Sequence, residues 1–174
     1  MKSLRTFVRI FTGMGALLLS CTVASAEPTD TAVKAAFLPR FARYVTWPAT
    51  AMPKGGGPFI LCVIGRDPFG AMLDQAAASQ LIDGRRIVVR RFDSTAFADA
   101  CQIAFLSSGG SQMAPMPSKP VLTVTDAASG GVRGIIHFVV DGGRVRFFID
   151  QRSAQERGLS ISSRLLALAV GVRQ

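Results

Sequence analysis

The chain has 174 residues, 49% of them hydrophobic, and a formal net charge of +9 from 20 Lys and Arg against 11 Asp and Glu. This length suits one domain with a substantial core. The arginines are spread along the chain without a basic block. That distribution disfavours a nucleic-acid binder, which clusters its cations near exposed aromatic rings. The positive surplus instead favours contact with anionic lipid, cell wall or an acidic protein face.

The first 26 residues have the pattern of a secretory signal peptide. Basic residues precede an apolar run over 10–23, and Ala24-Ser25-Ala26 has the small-x-small form that signal peptidase cleaves. Because the apolar run is short and interrupted by glycines, it favours a cleaved leader over a membrane span. The sequence therefore predicts a signal peptide at 1–26 and a single domain at 27–174, soluble in the periplasm after cleavage.

Cys21 offers an alternative processing of the N-terminus. The segment Leu18-Leu19-Ser20-Cys21 resembles a lipobox, in which the cysteine would be lipidated and anchor the protein to a membrane. Ala24-Ser25-Ala26 is the cleaner cleavage site, because the composition turns polar directly after it.

Two cysteines remain once the leader is removed, Cys62 and Cys101. An even number of cysteines in an oxidising compartment favours a disulfide bond. The bond would close a loop of about 40 residues, which the chain-entropy model values at about 4 kcal/mol. The alternative is a pair of buried thiols, since both cysteines lie beside apolar segments.

The first predicted element is an amphipathic helix. Apolar residues recur at intervals of three and four from Val33 to Trp47, and Thr29 or Asp30 can cap the start of the helix. Pro39 lies inside this pattern and predicts a kink or a break near Leu38, because proline lacks the backbone N–H.

The rest of the chain alternates short strands with helices. Strands are predicted at 59–64, 86–92, 102–106, 121–124, 135–140 and 145–149, and helices at 69–78, 94–100 and 153–172, the last interrupted at Gly158. Asp141-Gly142-Gly143 is a strong hairpin signal. Asp67 and Pro68 are predicted to begin the helix at 69–78. The order predicts a three-layer α/β sandwich with helices on both faces of a mostly parallel central sheet that ends in an antiparallel hairpin.

Several segments of the mature chain, in this order and spacing, resemble one protein family. They are 41–48 (FARYVTWP), 61–70 (LCVIGRDPFG), 100–107 (ACQIAFLS), 120–124 (PVLTV), 143–147 (GRVRF) and 158–166 (GLSISSRLL). Together they are similar to the YfiR family of periplasmic regulators, which carries the DUF4154 domain. The resemblance extends over essentially the whole mature chain.

The resemblance implies a homodimeric regulator without cofactor or enzymatic activity. Such a protein binds the periplasmic sensor domain of an inner-membrane diguanylate cyclase, represses it, and so lowers cyclic di-GMP and affects biofilm formation. Cys62 and Cys101 match the cysteine pair that the family shares. The chain lacks the second cysteine pair of the family's best-known member, so redox switching through that pair is not carried over.

Two apolar features are candidates for partner binding. Tyr44, Trp47 and Pro48 end the first predicted helix beside a Gly- and Pro-rich loop, where an aromatic ring could anchor another chain. Leu165 and Leu168 belong to a closing segment whose leucines cannot all face one narrow stripe. Core packing is the alternative interpretation of both features.

A second candidate function is a small-anion or cell-wall binding module, for which the main candidate residues are Arg43, Arg66, His137 and Arg146. Arg40 and Arg133 are further candidates for contact with the anion. Gly65 to Gly70 follows a strand, but it lacks the Lys-Ser/Thr of a phosphate-binding loop.

The sequence offers little for catalysis or for metal binding. His137 is the one histidine, and no Gly-x-Ser-x-Gly motif supports a triad with Ser107 and Asp126. A structural zinc site lacks ligands once the two mature cysteines are paired. We therefore predict neither an enzyme nor a metal site.

Overall fold

The computed structural model describes residues 28–94, 98, 100–108 and 119–174. The predicted signal peptide at 1–26 and the alternative lipidation site Cys21 lie outside these residues. Most of the predicted helix at 94–100 lies outside them as well.

The described residues form four α-helices and ten strands. In chain order they are α1 (Asp30–Phe41), β1 (Val45–Thr46), β2 (Phe59–Ile64), α2 (Ala71–Ala78), β3 (Leu81–Ile82), β4 (Arg85–Phe92), β5 (Ile103–Leu106), β6 (Leu122–Thr125), β7 (Ile136–Asp141), β8 (Arg144–Asp150), α3 (Gln151–Glu156), β9 (Ser160–Ile161), α4 (Ser163–Leu166) and β10 (Gly171–Arg173). Short 3-10 turns at Ala42–Tyr44, Ala49–Ala51 and Lys54–Gly56 connect α1, β1 and β2.

Eight of these strands form one sheet, in the order β10-β8-β7-β6-β5-β2-β4-β3. Within this order the five neighbouring strands β4, β2, β5, β6 and β7 run parallel to one another. β7 and β8 form an antiparallel hairpin. The predicted α/β fold with a mostly parallel sheet and a hairpin is therefore confirmed. The sequence did not predict the two edge strands: β10 runs parallel to β8, and β3 pairs antiparallel with β4. β1 and β9 form a separate antiparallel pair.

The sheet separates two clusters of buried side chains. Along β2, Phe59, Leu61 and Val63 point into the larger cluster, whereas Cys62 and Ile64 point into the smaller one. Successive side chains of a strand face opposite sides, so a strand buried on both sides is apolar at every position. This is why continuous apolar runs predicted the central strands correctly.

Helix α1 packs on the larger cluster. Its predicted cap is Thr29, whose side-chain oxygen accepts a hydrogen bond from the backbone N–H of Ala32 at 3.2 Å. Phe37 and Phe41 meet Phe138 and Phe147 of the hairpin with ring centroids 5.3–6.3 Å apart. Edge-on and tilted contacts of this kind are favourable between aromatic rings.

Of the kink or break predicted for the first helix near Leu38, the break is wrong. Helix α1 continues through Pro39 and ends at Phe41. Proline removes one backbone hydrogen bond, but Leu38 and Phe41 are fully buried, and their packing favours the helical conformation here. Beyond Phe41 the apolar pattern continues as a 3-10 turn and as β1, not as helix.

The predicted role of Asp67 and Pro68 as the first residues of α2 is also wrong. The helix begins at Ala71 and is preceded by Gly70, whose φ is +51°. The Asp67 carboxylate instead accepts the N–H of Phe69 at 2.7 Å and pairs with the Arg91 guanidinium at 2.6 Å. A carboxylate in this turn disfavours a phosphate-binding loop at the same place.

The closing segment differs most from the prediction of a helix over 153–172. Asp150 caps the short α3 by accepting the N–H of Ser153 at 3.0 Å, and the positive φ of Gly158 follows the end of that helix. Ser162 caps α4 through the N–H of Leu165. The chain then extends as β10 along β8, so two helical turns and two short strands replace the single helix.

Candidate functional site

Cys62 and Cys101 form a disulfide bond, as parity and compartment predicted. Cys62 lies on β2 and Cys101 comes two residues before β5, and these strands are parallel neighbours. The two Cα atoms are 6.0 Å apart, and both side chains are buried in the smaller cluster. The bond therefore links adjacent central strands on the face of the sheet away from α1.

Gln102 follows the disulfide and connects three segments. Its Oε1 accepts the N–H of Ile60 at 2.8 Å, and its Nε2 donates to the carbonyl of Ala51 at 3.0 Å. Its backbone carbonyl accepts the indole N–H of Trp47 at 3.2 Å. The sequence analysis missed this role, because one polar residue in an apolar run gives no sign of its distant partners.

The five residues predicted to bind a partner do not share one environment. Trp47 is only 7% exposed and packs edge-on against the ring of a core phenylalanine, and Leu165 is buried as well. Tyr44 and Pro48 are partly buried. Leu168 is 62% exposed, in the connection between α4 and β10. Partner binding by these residues stays a prediction, and Leu168 is the member most available for it.

Leu168 is accompanied by two exposed valines that were not predicted. Val170 and Val172 are each 36% exposed and lie before and within β10. We call these three residues the C-terminal patch. The alternation of the large apolar residues at positions 168, 170 and 172 with Ala169 and Gly171 is the signal in the sequence from which this patch could have been found.

The four residues predicted to bind an anion lie in different parts of the fold. Arg43 lies near β3 at one end of the strand order, and Arg66 follows β2 near its centre. His137 and Arg146 lie on β7 and β8 towards the other end, and Arg146 approaches Asp141 at 3.9 Å. The structure therefore does not bring all four into one site, and anion binding by this set stays a prediction.

His137 points to the face of the sheet opposite the larger cluster. Its Nδ1 lies 2.9 Å from Oγ1 of Thr125. Burial lowers the pKa of His137, the nearby Arg133 and Lys34 lower it further, and Asp126 opposes them. The Asp126 carboxylate is engaged by the Lys34 ammonium at 2.7 Å. Among the described residues the hydrogen-bond partner of His137 is Thr125, and no Asp126–His137 hydrogen bond of a triad is found.

Asp150 and Arg173 connect the end of β8 to β10. The Arg173 guanidinium hydrogen-bonds to the Asp150 carboxylate. Burial alone would raise the pKa of Asp150, but the backbone and side chain of Ser153 and the charge of Arg173 lower it overall. The carboxylate is therefore charged at neutral pH.

In the part of the chain that the structure describes, every helix lacks the length and apolar character needed to cross a bilayer. A comparison with curated proteins finds none that matches the chain. The model of the YfiR/HmsC-like family (DUF4154) matches residues 31–170, which include the disulfide, the hairpin and most of the closing segment. With this much of its length matched, the chain belongs to the YfiR/HmsC-like family.

Proposed function

We propose that the chain is an exported periplasmic regulator that binds the sensor domain of an inner-membrane diguanylate cyclase and represses it. The observation that carries this proposal is the family match over residues 31–170. Repression by binding requires a stable shape and a contact surface, but no reacting group. It lowers cyclic di-GMP for as long as the complex persists.

The disulfide supports this proposal by stabilising the binding-competent shape. It links β2 to β5 at the centre of the sheet. A covalent link that restricts the unfolded chain keeps a small exported domain folded without help from cytoplasmic chaperones.

The C-terminal patch is the contact surface we propose. Leu168, Val170 and Val172 expose apolar area at one edge of the sheet, and apolar side chains surrounded by polar ones are typical of protein interfaces. We also propose a homodimer, as the family resemblance implies. Light scattering of the purified mature chain measures that state.

The test is crosslinking in intact cells that express the chain, followed by mass spectrometry of the recovered partner. We expect a membrane protein with a diguanylate cyclase domain, and a rise in cellular cyclic di-GMP when the chain is deleted. Recovery of other proteins alone, with unchanged cyclic di-GMP, contradicts the proposal. Mass spectrometry of the periplasmic fraction tests cleavage before Glu27.

Leu168→Glu tests the contact surface, because it places a charge in the C-terminal patch. We expect at least about tenfold weaker binding of the cyclase sensor domain, since burying an unpaired charge at an interface is strongly unfavourable. Leu81→Glu is the matched control, because Leu81 is 66% exposed on β3 at the other end of the strand order. Equal loss of binding in both variants, or in neither, contradicts the assignment of the patch.

A further inference from the structure

An open groove lies on the face of the sheet away from α1, between β7, β8 and β10. Its volume is about 660 Å³, and its lining includes Arg133, His137, Phe148, Asp150 and Arg173. Grooves of a few hundred Å³ that combine apolar surface with a few polar groups are typical of small-molecule sites. Its lining includes neither Cys62 nor Leu168, but it shares Val172 with the C-terminal patch.

The imidazole of His137 offers a hydrogen-bond donor to this groove. The Thr125 hydroxyl accepts the backbone N–H of Gly134 at 2.8 Å and lies 2.9 Å from Nδ1 of His137. A hydroxyl that accepts one bond can donate its own proton, so we assign the Thr125 hydroxyl as the donor to Nδ1. The neutral ring then carries its proton on Nε2, for which the described residues provide no acceptor.

Arg133 supplies the positive charge of the groove. In the described part of the chain no carboxylate lies within ion-pair distance of its guanidinium. Arg173, by contrast, is engaged by the charged Asp150. The lining therefore offers one uncompensated positive charge beside a neutral donor, and this matches a singly charged anion better than a doubly charged one.

Phe148 supplies an apolar wall. The residue is 38% exposed, and the Arg133 guanidinium carbon lies 6.0 Å from its ring centroid. Gly171 of β10 passes over the ring so closely that a Cβ there would lie 2.9 Å from two ring carbons. The glycine keeps the ring accessible, so an apolar ligand can cover an aromatic surface that is otherwise in contact with water.

We propose that this groove binds a small monocarboxylate with an apolar body. One carboxylate oxygen contacts the Arg133 guanidinium, the other accepts from Nε2 of His137, and the apolar body lies against Phe148. This ligand site does not depend on the proposed cyclase partner.

The test is calorimetric titration of the mature protein with acetate, butyrate and hexanoate, with hexanamide and inorganic phosphate as comparison ligands. We expect affinity to increase with chain length, by up to about fourfold for each methylene that is buried. Hexanamide and phosphate are expected to bind at least about tenfold more weakly than hexanoate. No binding of hexanoate at millimolar concentration, or tighter binding of phosphate, overturns the proposal.

Two variants locate the site. Arg133→Gln is expected to weaken hexanoate binding at least about tenfold, whereas Arg144→Gln, an exposed arginine of the same hairpin outside the groove, leaves it unchanged. Phe148→Ala is expected to remove the dependence on chain length while acetate still binds. An unchanged affinity in Arg133→Gln contradicts the assignment, and circular dichroism of each variant confirms that it folds.

Discussion

At the scale of single residues, His137 couples the protonation of one side chain to the stability of the whole chain. Burial, Arg133 and Lys34 lower its pKa against the opposing effect of Asp126, so the folded protein keeps the ring neutral to a lower pH than the unfolded chain does. The contribution of His137 to stability is therefore complete above the ordinary pKa of about 6.5. It is lost as the pH falls from there through the lowered pKa.

We predict that the melting temperature falls between pH 7.5 and pH 5.0, and that His137→Gln reduces this fall. Glutamine can still hydrogen-bond to Thr125 but does not titrate. Asp74 and Asp150 do not contribute in this window, because their pKa values are lowered from an ordinary value of 3.8. Thermal unfolding of both proteins at the two pH values checks the prediction, and an identical fall in both contradicts it.

At the scale of secondary-structure elements, two threonines of β6 hold the entry to β7. The hydroxyl of Thr123 accepts the N–H of Ile135 at 3.0 Å, and the hydroxyl of Thr125 accepts the N–H of Gly134. The backbone pairing of β6 with β7 begins at Ile136. The two hydroxyls extend the hydrogen bonding between these segments to the two residues before it. The chain passes so close to β6 at this point that only glycine fits.

Gly134→Ala is expected to lower the free energy of unfolding by about 1–3 kcal/mol, the usual cost of overpacking. A Cβ there would lie 2.6 Å from the backbone oxygen of Thr123, which cannot move without distorting β6. Urea denaturation measures the change. Gly131→Ala is the comparison, because Gly131 has open space and only a positive φ of +85°, which predicts a smaller loss. A smaller effect at Gly134 than at Gly131 contradicts the clash.

The elements also explain which parts of the fold were predictable from the sequence. The apolar runs of β2 and β5 predicted buried strands because both faces of the sheet are covered there. The closing segment was not predictable, because its leucines have helical spacing while β9 and β10 contain only two and three residues. Strands this short show no periodicity of their own. Their pairing partners also lie elsewhere in the chain, since β9 pairs with β1 and β10 pairs with β8.

The same reasoning applies to the candidate site. The Cys62–Cys101 bond followed from the number of cysteines and the compartment, which need no geometry. The burial of Trp47 and the bonds of Gln102 depend on where the 3-10 turn at Ala49–Ala51 packs, and no local pattern shows that. Helix α4 ends at Leu166, so Leu165 and Leu168 do not lie on one helix face. Leu165 is buried, whereas Leu168 is exposed.

At the scale of the whole molecule, the two faces of the sheet are stabilised in different ways. Among the described residues, the larger cluster combines helices, aromatic rings and aliphatic side chains, whereas the smaller one contains fewer large side chains and includes the disulfide. The disulfide is a covalent link within the smaller cluster, so we expect its loss to affect the stability of the entire domain.

We predict that reductant, or Cys62→Ala combined with Cys101→Ala, lowers the free energy of unfolding by about 4 kcal/mol, because the bond closes a long loop in the unfolded chain. For a domain of this size the melting temperature should fall by on the order of 10 °C. Differential scanning calorimetry with and without reductant measures the change. The double variant should not respond to reductant, and an unchanged melting temperature of the parent protein under reductant contradicts the prediction.

The shortness of β10 affects how the protein should be handled. Its three residues pair with only the last three of the seven residues of β8, and the hydrogen bond from Arg173 to Asp150 fastens them. Behind this narrow cover lies a row of backbone donors and acceptors onto which a foreign strand could add. The tail thus covers part of this row, and we expect a C-terminal purification tag that displaces β10 to promote aggregation.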